Sequence, residues 1–503
     1  MSSLPVDLYR ADQVRALDRR IIEQHAITGF QLMERAAASA WQELVGAWPE
    51  ARRITVLCGS GNNAGDGFLL AGLAHDSGRK VRLITLTDPE NLAGDANRAA
   101  RLTLGRIQTK PFLGSDQLTD ADVLVDAMLG TGLDRALEGN YLQAVKAINA
   151  AGRPVLAIDI PTGLHADSGR VMGDAVQATL TVTFIGLKQG MFTGCAADYC
   201  GRIVFADLDA PEEIYSAVPP AARRIDYASQ ASLLSPRRRT AHKGSYGHVL
   251  VVGGDYGYSG AVRMAATAAA RCGAGLISVA TRCGHANAIP LAVPELMVRG
   301  IEQSAELDPM LSRASLVVAG PGLGQDDWGQ RLFTKILDSA LPLVLDADAL
   351  NLLAREPARS NRWILTPHPG EAARLLDLDA AAVQADRFQA IEMLQARYGG
   401  VIVLKGSGTI VYGGAGLPMV CTDGNPGMAS GGMGDVLSGV IAGLLVQWLS
   451  PLQAAALGVA IHAAAGDRAA RQDGERGMLA TDLLPWIRRL VNPMHDSPVK
   501  QCE

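Results

Sequence analysis

Several short stretches carry aspartates in settings where a carboxylate does chemistry. "DGNPGMASGGMGDVLSG", residues 423–439, sets Asp435 behind a glycine run, at about the first residue of an apolar helix. Free backbone N–H groups at such a helix start attract phosphate, and an aspartate beside that anion hole can take the proton of a hydroxyl attacking phosphorus. An N-cap aspartate without a catalytic task is the plainer alternative. "GSGNNAGDG", residues 59–67, follows the β-branched run "RITVLC", and Gly59, Gly61 and Ala64 satisfy the spacing of a dinucleotide-binding turn. Asn62, Asn63 and Asp66 add side-chain oxygens that a plain pyrophosphate cradle does not need, although turn geometry alone favours asparagine. "VDAMLGTGLDR" and "AIDIPTGL" place Asp126, Asp159 and Thr162 at the ends of two further apolar runs. Ligands of open parallel sheets bind beyond the carboxyl ends of the strands, so these segments are expected to converge.

The elements that position them alternate between strand and helix. After an opening helical stretch broken near Thr28 and Gly29 come the strands "ITVLC", "KVRLITL", "DVLVDAM", "PVLAIDI" and "TVTFI". Such alternation predicts a parallel sheet covered on both faces, a Rossmann-like three-layer α/β domain. Periodicity fades between about Asp209 and Lys243, and a boundary is expected near residues 219–225. The pattern restarts with "HVLVVGG", "LISVA", "ASLVVAGPG", "PLVLDADAL", "WILTPH" and "VIVLKG", a second α/β domain. The expected domains are residues 10–218 and 226–494.

Composition bounds the partners. A chain of 503 residues is too long for one core. A hydrophobic fraction of 48% excludes disorder, and a net charge of −5 leaves no basic footprint for nucleic acid. The longest apolar stretch, "VLSGVIAGLLVQWL" from Val436, is shorter than the roughly 20 residues that span a bilayer, so no membrane partner is expected. The N-terminus "MSSLPVDLYRADQVR" has no secretory pattern. The seven cysteines, Cys502 included, form no C-x-x-C and no even disulfide set, which fits a reducing cytoplasm. Small-molecule ligands are expected, with oligomeric state left open, a homo-oligomer included.

"GSGNNAGDG", "VDAMLGTGLDR", "AIDIPTG" and "FIGLKQG" together resemble the N-terminal domain of bifunctional NAD(P)H-hydrate repair enzymes, whose patterns there read NNGGDG and DIPSG. The resemblance implies an epimerase of hydrated NADH and NADPH. It implies substrate contacts from Asn62, Asn63, Ala64, Gly65 and Asp66 and from Gly130, Thr131, Gly132, Leu133, Asp134, Arg135 and Ala136. It also implies a potassium ion shared by Asn63, Asp126 and Thr162, whose oxygens suit a hard, weakly held cation. Asp159 is then the candidate for binding the hydrate and moving its proton. Ala64 replaces a family glycine, at a cost of about 1–2 kcal/mol if that position needs a left-handed backbone. Thr162 replaces serine and keeps the hydroxyl. Lys188 is read either as a phosphate contact or as a solvated lysine.

In the second half "GMGD" resembles the G-x-G-D signature of ribokinase-like phosphotransferases, and its segments resemble the family's C-terminal, ADP-dependent dehydratase domain. By that resemblance Ala261, Gly324, His368 and Asp435 contact the hydrated nucleotide. Lys405, Gly406, Ser407, Gly408, Thr409 and Gly434 hold ADP. Magnesium is implied by phosphoryl transfer. The resemblance spans roughly residues 11–486. It implies dehydration of the S hydrate to NAD(P)H, AMP and phosphate, with the epimerase converting R to S. The rivals are a small-molecule kinase of the hydroxymethyl-pyrimidine or thiazole type and a nucleotide sensor without turnover, against which two candidate proton-transfer carboxylates, Asp159 and Asp435, argue.

Overall fold

The computed structural model describes residues 4–493, so Cys502 and residue 494 of the expected second domain lie outside the described residues. The chain divides into two units, one ending at Arg224 and the other beginning at Ile225.

The first unit opens with helices Ala11–Gln24 and Gly29–Ala47. The second of these starts where Thr28 caps it: the Thr28 hydroxyl accepts from the Gln31 N–H while the Gln31 side chain accepts from the Thr28 N–H, satisfying two donors that a helix start leaves unpaired. A seven-stranded parallel sheet follows, ordered Thr109–Pro111, Lys80–Thr85, Arg53–Cys58, Val123–Ala127, Val155–Ile158, Leu180–Phe184 and Arg202–Ala206. Alternate side chains of its central strands point to opposite faces, and both are covered. Val56 and Val125 pack with Phe30, Met33 and Phe68 of the helices on one side, and Leu57 and Leu124 with Val145 and Ile148 on the other. Each such side chain, fully buried, contributes about 1.5–3 kcal/mol. This is the three-layer arrangement. Successive strands depart in opposite directions from the pair Arg53–Cys58 and Val123–Ala127, which opens a crevice at their carboxyl ends.

The second unit's sheet runs Met297–Gly300, Leu276–Thr281, His248–Val252, Leu316–Ala319, Leu343–Leu345, Trp363–Leu365 and Val401–Leu404 in parallel. Ile410–Tyr412 and Met419–Cys421 extend it antiparallel. The apolar stretch from Val436 belongs to helix Met433–Leu445, whose residues 436–444 are buried. Helix Ser259–Arg271 lies so close to it that a methyl added to Gly443 would meet the Ala269 carbonyl at 2.7 Å, and one on Gly439 would strike the Ala265 carbonyl. No helix of the described residues is long and apolar enough to cross a membrane, and the six described cysteines are free thiols.

Candidate active sites

In the first unit the glycine segment is shorter than the sequence suggests. Helix Asn62–Asp76 already begins at Asn62, so Asn62, Asn63, Ala64, Gly65 and Asp66 lie in its first turns and not in an extended loop. Ala64 is therefore helical and fully buried, and the left-handed strain considered for it does not arise. Gly59 serves a close approach: a side chain there would collide with the Met128 carbonyl at the end of the neighbouring strand. The helix start is thereby pressed against the strand that carries Asp126.

Asp126, wholly buried, is the penultimate residue of that strand. Its Oδ1 accepts from the Thr162 hydroxyl at 2.7 Å and the Met128 N–H at 3.2 Å, and its Oδ2 from the Thr162 N–H at 2.8 Å. Burial nevertheless raises its carboxyl to about 6. A carboxylate offers about four acceptor positions, and three are used. Asn63 is also buried, and among the described residues neither its amide oxygen nor its amide nitrogen has a hydrogen-bond partner. A buried amide left without a partner is costly in a folded protein, and a free amide oxygen at the helix start, together with the remaining Asp126 position, suits a cation.

Asp159 follows strand Val155–Ile158 with a left-handed backbone, φ +69°, uncommon outside glycine. Its carboxylate pairs with Lys188. Lys188 is fully buried and also donates to the Thr183 hydroxyl at 2.9 Å and the Phe184 carbonyl at 3.2 Å, so it is neither the solvated lysine nor the phosphate contact expected from sequence. Two more carboxyls face this pair. Burial, reinforced by Asp159 and Asp18, pushes Asp66 well above the usual range, and burial raises Asp18 of the first helix to about 6. Gly130 adjoins both halves of the site: a methyl on it would lie 3.4 Å from Asp159 Oδ2 and 3.6 Å from Asn63. Beyond it the loop is mostly exposed, with Gly132, Asp134, Arg135 and Ala136 open, Thr131 half-buried and Leu133 packed inward on the sheet's second face. Asp18 was invisible in the sequence, since an aspartate on an amphipathic helix reads as a solvated group.

In the second unit, helix Met433–Leu445 starts two residues before Asp435, and its cap is Gly432 in a left-handed conformation, φ +90°. Asp435 thus sits within the first turn and is not the cap. Neighbouring parallel strands end beneath it. Strand Leu343–Leu345 leads into Asp346, whose Oδ1 accepts from the Lys405 ammonium at 2.6 Å and whose Oδ2 accepts from the Ser438 hydroxyl at 2.7 Å. Burial would raise the Asp346 carboxyl, but Lys405 overrides it and holds it below the ordinary range. Lys405, at the end of strand Val401–Leu404, is raised in turn: burial alone would lower it, and Asp346 and Glu371, the latter 3.7 Å away, outweigh that. Gly434 lies on this pair, since a methyl there would stand 3.2 Å from Lys405 Nζ. Burial, with Asp346 adding repulsion, lifts Asp435 to about 7.

His368 caps helix Pro369–Leu376: its Nδ1 accepts from the Gly370 N–H at 3.0 Å, and Glu371 Oε2 accepts from the His368 N–H at 2.8 Å. Burial lowers the imidazole below its ordinary value and raises Glu371 to about 6. Gly324, φ +75°, donates its N–H to Asp348 at 3.0 Å, and Ala261 lies in the first turn of helix Ser259–Arg271. The loop of Lys405, Gly406, Ser407, Gly408 and Thr409 is held from inside by Arg387, which is buried and donates to the carbonyls of Leu404 and Lys405 at 3.1 and 3.2 Å. The Thr409 hydroxyl closes the loop on the Gly406 carbonyl at 2.9 Å. Asp346 carried the same signal that singled out Asp126 and Asp159, an aspartate ending an apolar run, whereas Arg387 had none.

The second unit's architecture recurs in a ribokinase-like superfamily protein from Enterococcus faecalis, 30% identical over 54% of this chain and 95% of that one, with a TM-score of 0.50. Fold and sites together therefore define an α/β enzyme of two units, the second ribokinase-like. Residues 249–489 match a family model described as NAD(P)H-hydrate dehydratase, and residues 29–190 one described as YjeF-related protein N-terminus. The bifunctional NAD(P)H-hydrate repair enzyme Nnr of Coxiella burnetii is 50% identical over 97% of this chain and 99% of its own length. That of Escherichia coli K12 is 42% identical over 98% and 95%. The chain belongs to the family of bifunctional NAD(P)H-hydrate repair enzymes.

Proposed function

We propose that the first unit interconverts the R and S epimers of hydrated NADH and NADPH, and that the second dehydrates the S epimer with ADP, yielding NAD(P)H, AMP and phosphate. The observation that carries the second half is Asp435: a carboxyl held at about 7, in a helix's first turn above the Lys405–Asp346 pair. A general base works best with its pKa near the operating pH.

In this reading Asp435 takes the proton of the hydroxyl on the hydrated ring as its oxygen attacks the β-phosphorus of ADP. The bond from that phosphorus to the α-phosphate oxygen breaks and AMP leaves. The ring nitrogen's lone pair then expels the phosphate, breaking the carbon–oxygen bond, and loss of a proton from the adjacent ring carbon restores the dihydropyridine. The N–H groups of the helix start and the loop from Lys405 to Thr409 bind phosphates. His368, Gly324 and Ala261 line the hydrate's side. Magnesium neutralises phosphate charge when bound. A carboxylate near the nucleotide site, such as Glu371, would give the ion one protein oxygen beside the phosphates.

In the first unit Asp159, poised by Lys188, moves the proton at the hydrated carbon, and Asn62, Asp66, Gly130 and the loop to Ala136 hold the nucleotide. Potassium, supported by the unpartnered Asn63 amide, would be held by Asn63, Asp126 and Thr162 and would fix the crevice's geometry. The free thiols support a reducing, cytoplasmic setting.

The experiment is to incubate the full chain with a mixture of both hydrates. Without ADP the epimers should interconvert and no NAD(P)H should form. With ADP and magnesium both should be consumed, releasing one AMP per NAD(P)H. Phosphorylation of hydroxymethyl-pyrimidine or thiazole alcohols with the hydrates left intact would overturn the assignment.

A further inference from the structure

The second unit contains a cavity of about 1160 Å³ that shares no residue with the transfer site. It opens where helix Met433–Leu445 ends, among residues 233–246, the end of helix Ser259–Arg271 and the last helix, Leu483–Leu490. A helix of 13 residues is about 20 Å long, and Asp435 lies at its other end.

Arg237, Arg238, Arg271 and Arg488 line the cavity, and among the described residues no Asp or Glu does. Among the described residues none of the four forms an ion pair. A chain of net charge −5 therefore gathers around one concavity four cations that have no ion-pair partner among the described residues, which focuses their field on an anion. Arg237 is fixed by neutral partners: it donates to the Gln447 side-chain oxygen at 2.8 Å and lies over the Tyr246 ring at 3.8 Å. Beside it Trp448 is 85% exposed on a left-handed backbone, φ +79°, while its indole N–H reaches the Ser245 carbonyl at 3.3 Å. An aromatic residue held in a strained conformation with its ring open to solvent is unfavourable in itself, and such strain clusters at ligand clamps. Guanidinium groups match phosphate oxygens through paired N–H donors, and an anchored aromatic face suits a planar base. The volume is somewhat above that of ordinary small-molecule pockets, enough for a nucleotide with several phosphates.

We propose that this cavity is a second binding site, separate from the transfer site, for a nucleotide bearing two or more phosphates, which the four arginines hold while the base lies on Trp448. It does not depend on the reactions assigned above.

The test titrates the full chain with ADP, inorganic tripolyphosphate and adenosine, read by calorimetry and tryptophan fluorescence, in the wild type, in Arg271→Ala/Arg488→Ala and in Trp448→Phe. All three positions are exposed, so the fold should survive substitution. ADP should bind the wild type in two events, one of which changes the fluorescence. The arginine variant should weaken that event about tenfold or more and leave the other unchanged. Trp448→Phe should abolish the fluorescence change. Tripolyphosphate should bind with steep salt dependence, and more weakly than ADP once corrected for charge. A single ADP event, identical in all three proteins, would overturn the proposal. So would a fluorescence change accompanied by a doubling of sedimenting mass, which would make the cavity a contact between copies, or tripolyphosphate binding as tightly as ADP, which would leave the base no role.

Discussion

Asp435→Asn keeps the side chain's size and one acceptor but removes the group that takes the proton. With its carboxyl at about 7 in the native protein, about one-eleventh is ionised at pH 6 and about ten-elevenths at pH 8. Because the ionised form is the base, dehydration of the S hydrate under saturating ADP should rise about tenfold from pH 6 to pH 8 and then level off. The substitution should lower the plateau by about 10² to 10⁴, the usual contribution of a positioned general base, and the residual rate should be nearly flat with pH. Lys405, which opposes the rise in Asp435's pKa, stays paired with Asp346 in the variant, so ADP binding should be within a few-fold of wild type. The assay follows the absorbance of the restored dihydronicotinamide and, in parallel, AMP released. The reasoning is refuted if the variant keeps the wild-type plateau, if its rate still climbs tenfold with pH, or if ADP binding is lost along with the rate.

Asp159→Asn should leave S hydrate dehydration intact and strand the R epimer, measured by chromatography of the remaining hydrates. A mixture of this variant with Asp435→Asn should clear both epimers. Asp126→Ala removes the one carboxylate of the proposed oxygen cage, so potassium should no longer stimulate epimerisation, whereas an unchanged potassium response would put the ion elsewhere. Lys188→Met leaves Asp159 facing Asp66 and Asp18 without its cation, and breaking a buried pair costs about 3–5 kcal/mol. Since Asp159 keeps 17% of its side-chain surface exposed, the loss should fall at or below the lower figure, read by denaturant unfolding, with the second unit's activity retained. Gly434→Ala would put a methyl 3.2 Å from Lys405 Nζ and should weaken ADP binding measured by calorimetry, with the epimerase indifferent; unchanged affinity would remove Gly434 from the nucleotide site.

The sequence by itself determined the two alternating α/β units, the strands that bear Asp126, Asp159 and Lys405, and the helix that bears Asp435. Those features are local: apolar runs of strand length, glycines at fixed offsets and carboxylates at run ends reflect backbone geometry that neighbouring residues dictate. Strands Arg202–Ala206, Met297–Gly300, Ile410–Tyr412 and Met419–Cys421 were not read, the last two only three residues long and dependent on pairing partners for their existence. What only the tertiary structure decided is which charges meet. Lys188 looks solvated in "GLKQG", yet folding buries it against Asp159, 29 residues away in sequence. Asp346 meets Lys405 across 59 residues and Ser438 across 92, because crossover connections return the chain to the same sheet edge, where two strands flanking Trp363–Leu365 end on one side with the helix that bears Ser438. Asp18 joins Asp66 and Asp159 only because folding brings its helix close enough for their charges to interact. The type of a residue and its local backbone are written in the chain, but its pKa and its partner depend on the dielectric and the charges that distant segments bring to it.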